Sequence, residues 1–168
     1  NVKVDPVMTY KHLTEVSPTP FSGFFKIGNK YILSATPERF LSKRGDILTS
    51  QPIKGTAKRS KDLAEDLAIK NALKDSKKEQ SENVMIVDLV RNDLTKSAVK
   101  GTVKVDELFG IYTFPQVHQM ISTITSKVDP QYSAVDVLKT TFPMGSMTGA
   151  PKISVMKIIE NLEETKRG

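Results

Sequence analysis

The sequence predicts an α+β fold in which antiparallel sheets have helices packed outside them. From Ser22 to about Thr56, short apolar runs alternate with turn residues, a pattern typical of β-hairpins. From Asp62 onward, apolar residues recur at helical intervals, and strand character returns near Val99. With 168 residues, 38% of them hydrophobic, the chain can bury a core of its own. No repeat, low-complexity tract or linker interrupts it, so we expect one unit.

The β-rich part of the chain runs from Ser22 to Thr56. Gly28-Asn29-Lys30 separates two apolar runs at 23–27 and 31–34, which predicts a hairpin. A turn at Gly45-Asp46 then joins residues 40–42 to 47–50. The stretch Gln51-Pro52-Ile53-Lys54-Gly55-Thr56 continues the last of these strands, and Pro52 suits a strand start better than its middle.

Two helices are predicted between Asp62 and Leu94. In the first, Ser60 is the expected N-cap, and the apolar positions at helical spacing are Leu63, Leu67, Ala68 and Ala72. The second begins near Ser76 and ends at about Leu94. Its apolar residues are dense enough to predict burial on most sides.

The last third of the chain mixes both kinds of structure. Residues 99–108 read as a strand with Gly101 as a turn or bulge, whereas 117–124 fit a strand or a helix equally well. A short helix is predicted at 133–140 and a loop of small residues at 145–149. The loop leads into a helix with Pro151 in its first turn. One side of this helix is apolar and carries Ile153, Met156, Ile159 and Leu162.

Composition and charge restrict the classes of function. The net charge of +6 suits an anionic partner, but the lysines at 58–78 alternate with acidic residues and no aromatics interleave, so an anionic small molecule is favoured over nucleic acid. No run approaches the roughly 20 apolar residues of a membrane span, and residues 1–5 contain no signal-peptide core. The absence of cysteine excludes disulfides and thiolate metal sites. We therefore predict a cytoplasmic protein with neither nucleic acid nor membrane as partner.

Lys54 and Glu38 are the first candidates for chemistry. Gly55 permits close approach of another group to the backbone, and a lysine beside such an opening can be a catalytic amine. Glu38 follows a strand of the neighbouring pair, so the two side chains can act as acid and nucleophile. The alternatives are a solvated lysine at a strand edge and a surface glutamate paired with Arg39.

Two carboxylates on the second helix are candidates for a metal site. Glu79 and Glu82 are three residues apart, so they lie on one face and repel each other unless a cation intervenes. Mg²⁺, which prefers oxygen ligands and retains waters, fits this requirement. Plain solvation, helped by Lys77 and Lys78, is the alternative reading.

Two further features are candidates for holding an anion. The small-residue loop 144–152 precedes a helix, where free N–H groups and the helix dipole favour a carboxylate. Its glycine spacing is not that of a P-loop, and a simple tight turn is the alternative. His118 can donate to a carboxylate, although a lone histidine is more often structural.

Three of these stretches, in this order, resemble the motifs of one family. They are Ser-Ala-Thr-Pro-Glu-Arg-Phe at 34–40, Glu-Asn-Val-Met-Ile-Val-Asp-Leu-Val-Arg-Asn-Asp at 82–93 and Gly-Ser-Met-Thr-Gly-Ala-Pro-Lys at 145–152. The family is that of the chorismate-utilising enzymes, which include the anthranilate, isochorismate, salicylate and aminodeoxychorismate synthases. The resemblance covers almost the whole chain and implies an anthranilate synthase component I-like fold.

The lysine at 54 discriminates within this family. Pro-Ile-Lys-Gly-Thr resembles the form found in aminodeoxychorismate synthases, whereas anthranilate synthases resemble Pro-Ile-Ala-Gly-Thr. The resemblance implies that Lys54 attacks ring C2 of chorismate while Glu38 protonates the departing C4 hydroxyl. Ammonia from a glutamine amidotransferase subunit would then attack C4 and expel the lysine, giving 4-amino-4-deoxychorismate for para-aminobenzoate and folate synthesis.

The same resemblance assigns the remaining site residues. Glu82 would bind Mg²⁺ directly and Glu79 through water, with the ion holding the ring carboxylate of the substrate. The residues implied to contact that carboxylate or its surroundings are Gly55, Thr56, His118 and Ser146.

The sequence departs from the family pattern at both ends. Members of the family continue with further strands, an arginine, a Gly-Ala-Gly loop and a final pair of metal-binding glutamates. We therefore expect residues 1–168 to be a partial chorismate-binding domain, without its N-terminal strands and C-terminal part, and to be inactive alone. An anthranilate synthase component I with an unusual lysine and a truncated, non-catalytic ligand-binding module remain the alternatives.

Overall fold

The computed structural model describes residues 4–165, and the chain divides into two compact units, Asn1–Arg39 and Phe40–Gly168. The single unit expected from the sequence is therefore not what the structure has. The reason lies in the strand pairing, because the first hairpin closes a two-stranded sheet of its own.

The first unit contains a helix and the predicted hairpin. Helix α1 spans Pro6–Val16, and strands β1 (Gly23–Ile27) and β2 (Lys30–Ser34) pair antiparallel. The hairpin prediction is thus confirmed, whereas α1 was not predicted. Its signal is local rather than periodic: Asp5 accepts hydrogen bonds from the N–H groups of Val7 and Met8, and a proline opens the first turn.

The second unit is built on one five-stranded sheet. Its strands are β3 (Arg39–Arg44), β4 (Ile47–Gln51), β5 (Ile53–Lys58), β6 (Lys104–Thr113) and β7 (Val117–Lys127). β7 is central, with β6 along one edge and with β4 and β5 sharing the other. This arrangement decides the segment that periodicity left open, because a chain flanked on both edges by strands must itself be a strand to pair its backbone groups.

Five helices accompany this sheet within the described residues. They are α2 (Leu63–Asp75), α3 (Lys77–Thr95), α4 (Ala134–Thr141), α5 (Gly145–Thr148) and α6 (Lys152–Leu162). Ser76 and Ser133 are the N-caps of α3 and α4, and both helices begin within one residue of their predicted starts. Asp62 caps α2 instead of Ser60: the Asp62 carboxylate accepts from the Glu65 N–H, whereas the Ser60 hydroxyl accepts from the Asp62 N–H ahead of the helix.

Three boundaries differ from the predictions. The strand expected at 99–108 is β6, which begins five residues later because Gly101 sits in a turn closed by the Thr102 N–H on the Val99 carbonyl. Most of the expected loop at 145–149 is the short helix α5. Pro151 is the N-cap of α6 rather than a member of its first turn.

The core lies between the sheet and helices α3 and α4. Along β7 the even-numbered residues from His118 to Val128 are almost completely buried, as period-two alternation requires of a covered face. Leu48 of β4 and Ile124 of β7 meet Val87 and Leu94 of α3 and Val137 of α4. The apolar side of α6 remains exposed in this chain. No helix among residues 4–165 is long and apolar enough to cross a membrane.

Candidate functional site

A bulge in β5 brings Lys54 next to α3. The register of β5 against β7 shifts between Ile53 and Thr56, and Gly55 has φ of +94°, a conformation that favours glycine. A Cβ at position 55 would lie 3.2 Å from Glu79 Cβ and 3.3 Å from Leu73 Cδ1. Both the backbone conformation and the space therefore require glycine beside the lysine.

Lys54 forms a charged cluster with the two carboxylates of α3. Its Nζ lies 3.8 Å from Glu82 Oε2, and both side chains are about two-fifths exposed. Lys78 Nζ lies 3.9 Å from an oxygen of Glu79 and 3.9 Å from an oxygen of Glu82. The structure thus brings together Lys54, Gly55, Glu79 and Glu82, the four residues at the centre of the predicted site.

This cluster fits part of a magnesium site. Mg²⁺ commonly takes one or two protein carboxylates and completes its shell with water or substrate oxygens. Glu79 and Glu82 supply two such groups from one helix face, and Gly55 leaves the Glu79 side chain room to lie against β5. Residues 4–165 contain no group of three or more histidine, cysteine, aspartate or glutamate residues that could hold a metal. The described part of the chain therefore offers two carboxylate donors and no complete set of protein ligands.

His118 is buried in a polar cluster under the sheet. Its Nδ1 lies 3.0 Å from Thr113 Oγ1, its Nε2 lies 3.1 Å from Asp66 Oδ1, and its side chain is 1% exposed. Asp66 also accepts two hydrogen bonds from Arg59, whose backbone N–H binds the Gln116 carbonyl. Both ring nitrogens of His118 thus have partners that tie α2 to the sheet, and its contact with substrate stays a prediction.

The Asp66 carboxylate gives this cluster a pH dependence. The Arg59 guanidinium hydrogen-bonded to Asp66 holds the pKa of that carboxyl far below its usual range, with the Ser60 N–H and His118 adding to the effect against the cost of burial. A lowered pKa stabilises the fold above the unfolded-state pKa of about 3.9, and that contribution is lost as the pH falls further.

We expect Asp66→Asn to lower the melting temperature clearly at pH 5, because the ion pair and its hydrogen bonds are lost. At pH 3, below the unfolded-state pKa of about 3.9, the wild type has lost part of this contribution, so the difference in melting temperature between the two proteins should narrow. Thermal unfolding followed by circular dichroism at both pH values measures this difference in melting temperature. Asp62→Asn, which changes a carboxylate at the start of α2 but leaves the Arg59 pair intact, is the control. An equal gap at both pH values would contradict the assignment.

Gln119 is the residue that sequence reasoning missed. It pairs with Thr56 across β5 and with Tyr112 across β6, so these three side chains share the sheet face opposite His118. Gln119 is 7% exposed, and its Oε1 has no hydrogen-bond partner within the described part of the chain. The signal for it was the alternation along β7, which places His118 and Gln119 on opposite faces once the segment is read as a strand.

Ser146 lies on α5, which is seated directly on α3. A Cβ at Gly145 would lie 2.6 Å from Leu89 Cδ2, so no larger residue fits this contact. The Oγ of Ser146 is buried and lacks a hydrogen-bond partner among residues 4–165. Buried hydroxyl groups are normally satisfied, so this one has hydrogen-bonding capacity that a ligand can meet.

Glu38 belongs to the first unit and ends the segment after β2. Its backbone N–H donates to Thr36 Oγ1 over 3.2 Å, and its side chain is half-buried. Because the two units are separate bodies, its role as acid for Lys54 stays a prediction from the motif at 34–40.

Fold and site together define a class of chorismate-binding protein. The chain belongs to the chorismate binding enzyme family, whose sequence profile matches residues 1–168. The family predicted from the three motifs is therefore confirmed.

The named relatives include both an aminodeoxychorismate synthase and an anthranilate synthase. The chain is 42% identical to aminodeoxychorismate synthase component 1 of Salmonella typhimurium, over 97% of this chain and 36% of that protein. It is 40% identical to anthranilate synthase component 1 of Saccharolobus solfataricus, over 98% of this chain and 39% of that protein. Among solved structures, anthranilate synthase component I from Streptococcus pneumoniae superposes with a TM-score of 0.87 at 33% identity, covering 99% of this chain and 36% of that one.

Two conclusions follow from these comparisons. The predicted fold is confirmed, because the described architecture is part of the anthranilate synthase component I fold. The chain spans somewhat more than a third of the length of these three proteins. Activity, substrate and partners of the whole protein are accordingly matters of proposal.

Proposed function

We propose that this chain carries the nucleophile of an enzyme that converts chorismate to 4-amino-4-deoxychorismate. The observation that carries the proposal is Lys54 itself, held on a glycine bulge 3.8 Å from the Glu82 carboxylate. Relatives named aminodeoxychorismate synthase at 40–45% identity support the same reaction. An alanine at this position could hold substrate but could not form a bond to it.

The lysine works as a nucleophile and the glutamate as an acid. The neutral Lys54 amine attacks ring C2, the ring double bonds shift, and the C4 hydroxyl departs as water with a proton supplied by Glu38. Ammonia then attacks C4, the double bonds shift back, and the C2–nitrogen bond breaks to release the lysine. The attached ammonia returns a proton to the Glu38 carboxylate, so the net change is replacement of the hydroxyl by an amino group with release of water.

The α3 carboxylates and the small residues position the substrate. Glu82, and Glu79 through water, would hold Mg²⁺, which would supply positive charge for the ring carboxylate. Gly55 keeps the β5 backbone close to this position, and Thr56 and the unpaired Ser146 hydroxyl are donors for the carboxylate or its surroundings. In this proposal His118 either supports the site by holding the Asp66 cluster in place or donates a further hydrogen bond to the substrate carboxylate.

Partners and setting follow from the reaction. The ammonia comes from glutamine through an amidotransferase subunit, and the product leads to para-aminobenzoate and folate. The proposed setting is the cytoplasm, where these small polar metabolites would be made and used.

Product analysis tests the proposal. We expect the complete gene product that contains this sequence to convert chorismate, with ammonium and Mg²⁺, to 4-amino-4-deoxychorismate, identified by liquid chromatography and mass spectrometry. The second candidate is anthranilate synthase, favoured by the 40% identity to the Saccharolobus solfataricus protein. Anthranilate as the main product would refute the C4 assignment. Tight chorismate binding without Mg²⁺ and without turnover would instead favour a non-catalytic module.

A further inference from the structure

Lys152 is a buried ammonium that joins three segments of the second unit. Its Nζ donates to Asp93 on α3, to the Thr141 carbonyl at the end of α4 over 2.9 Å, and to the Pro143 carbonyl over 2.7 Å. The Lys152 side chain is 10% exposed and that of Asp93 is 6% exposed. Neither the charge of the lysine nor its position is used by the chemistry at Lys54.

The three bonds satisfy the ammonium completely. A lysine ammonium has three N–H donors, and here each has one acceptor, one of them an ionised carboxylate. The second oxygen of Asp93 is bound by the more exposed Lys96 over 2.9 Å. Without the Lys152 amine, two buried carbonyls and one carboxylate oxygen lose their donor, which is costly in a site that excludes water.

These bonds close the segment that contains Ser146 onto itself and onto α3. Lys152 follows the segment, whereas the carbonyls of Thr141 and Pro143 precede it, so the ammonium fastens both ends. Between these ends, Gly145 packs against Leu89. The segment 144–149 is therefore held at its contact with α3 and at both flanks.

The segment is held on the helix face that carries the candidate metal ligand. Glu82, Leu89 and Asp93 are spaced by seven and four residues, which puts them on one stripe of an α-helix. The rise from Glu82 to Leu89 is about 10 Å at 1.5 Å per residue. One face of α3 thus sets the distance between Glu82 and the loop that carries Ser146.

We propose that Lys152 is a positioning residue that holds the Ser146 segment in register with Glu82 along α3. The effect of Lys152 on the position of the segment does not depend on which reaction the enzyme catalyses. Its effect on chorismate binding rests on the proposed function. Because the ammonium reaches no reacting atom, its loss weakens substrate binding through the displaced segment rather than through the chemical step.

The test is Lys152→Met, which keeps most of the side-chain volume and removes the ammonium. In the complete gene product without substrate, we expect hydrogen–deuterium exchange at residues 144–149 to accelerate at least about tenfold, as for lost bonds to a charged group, while β7 stays protected. With chorismate, KM should rise about tenfold and kcat should change much less.

Two further variants separate positioning from general destabilisation. Asp93→Asn retains an oxygen acceptor and both carbonyl bonds, so it should fold even if Lys152→Met does not, and should accelerate exchange at 144–149 by a smaller factor. Lys157→Met, at an exposed lysine of α6, should change neither quantity. Unchanged exchange at 144–149 in Asp93→Asn and in any folded Lys152→Met protein would overturn the proposal, as would acceleration spread evenly over β7. Faster exchange at 144–149 together with a product other than aminodeoxychorismate would support the positioning role of Lys152 and would contradict the proposed function alone.

Discussion

Lys54→Ala in the complete gene product is expected to reduce formation of 4-amino-4-deoxychorismate by on the order of 10⁴-fold, as loss of a covalent nucleophile does in other enzymes. Alanine forms no bond to ring C2, so the lysine-dependent route to C4 amination is closed. The substitution also creates the Pro-Ile-Ala-Gly-Thr form that resembles anthranilate synthases. Any residual turnover should therefore shift toward anthranilate. Product formation with ammonium as nitrogen donor, followed by mass spectrometry, measures both changes.

The matched control is Lys58→Ala on the same strand. Lys58 is exposed and lies at the far end of β5 opposite Val117. Its replacement by alanine removes the same charge as Lys54→Ala does. Its variant should retain near wild-type turnover and product, because surface lysines contribute little to stability or binding. If Lys54→Ala formed aminodeoxychorismate at the wild-type rate, Lys54 would not be the nucleophile.

Much of this fold could be predicted from the sequence because its elements are locally encoded. The first hairpin follows from Gly28-Asn29-Lys30, and α3 follows from its Ser76 cap and a long periodic stretch. Helix α1 was missed because only a cap and a proline mark it. Division into two units was missed because it depends on which strands pair, and strand pairing is a long-range property that no local pattern records.

The candidate site divides in the same way. The i, i+3 spacing placed Glu79 and Glu82 on one face correctly, since helix geometry alone determines it. The proximity of Lys54 to Glu82 depends on the β5 bulge and on α3 packing beside it. The family motifs therefore suggested this proximity, whereas hydrophobic periodicity could not predict it. Once residues 117–127 are assigned to a strand, His118 and Gln119 must lie on opposite faces of the sheet, because successive residues of a strand point to opposite faces. Lys152 could not be predicted because Asp93, its charged partner, lies 59 residues away in the sequence.

Glu82→Gln is expected to remove most of the magnesium response of the complete gene product. The amide keeps the size and one oxygen of the side chain but loses the charge that a hard divalent cation requires. We expect kcat/KM for chorismate to fall at least about a hundredfold and the Mg²⁺ concentration for half-maximal activity to rise. A residue that binds the metal directly matters more than one that only orients a ligand, and loss of the latter already costs about 10–100-fold. Glu79→Gln, as a ligand through water, should lower kcat/KM by about tenfold.

A control on the same helix distinguishes metal binding from a general change in charge. Asp88 is six residues beyond Glu82 and about 120° away around α3, where it is exposed and paired with Arg91. Asp88→Asn therefore removes one carboxylate from α3 without touching the cluster, and its magnesium titration should match the wild type. Calorimetry of direct Mg²⁺ binding should show weaker binding in Glu82→Gln and unchanged binding in Asp88→Asn.

The magnesium titration also decides what Glu82 does for the lysine. In this chain Glu82 contacts the Lys54 ammonium, and Lys78 contacts both carboxylates, so two ammonium groups occupy the positions next to the oxygens that a metal would take. If ion pairing were the whole role of Glu82, Glu82→Gln would lower activity equally at every Mg²⁺ concentration. If Glu82 is a ligand, the loss is largest at low Mg²⁺ and is partly recovered at high Mg²⁺. An unchanged half-saturating concentration in Glu82→Gln would remove it as a ligand and leave the lysine as its only partner.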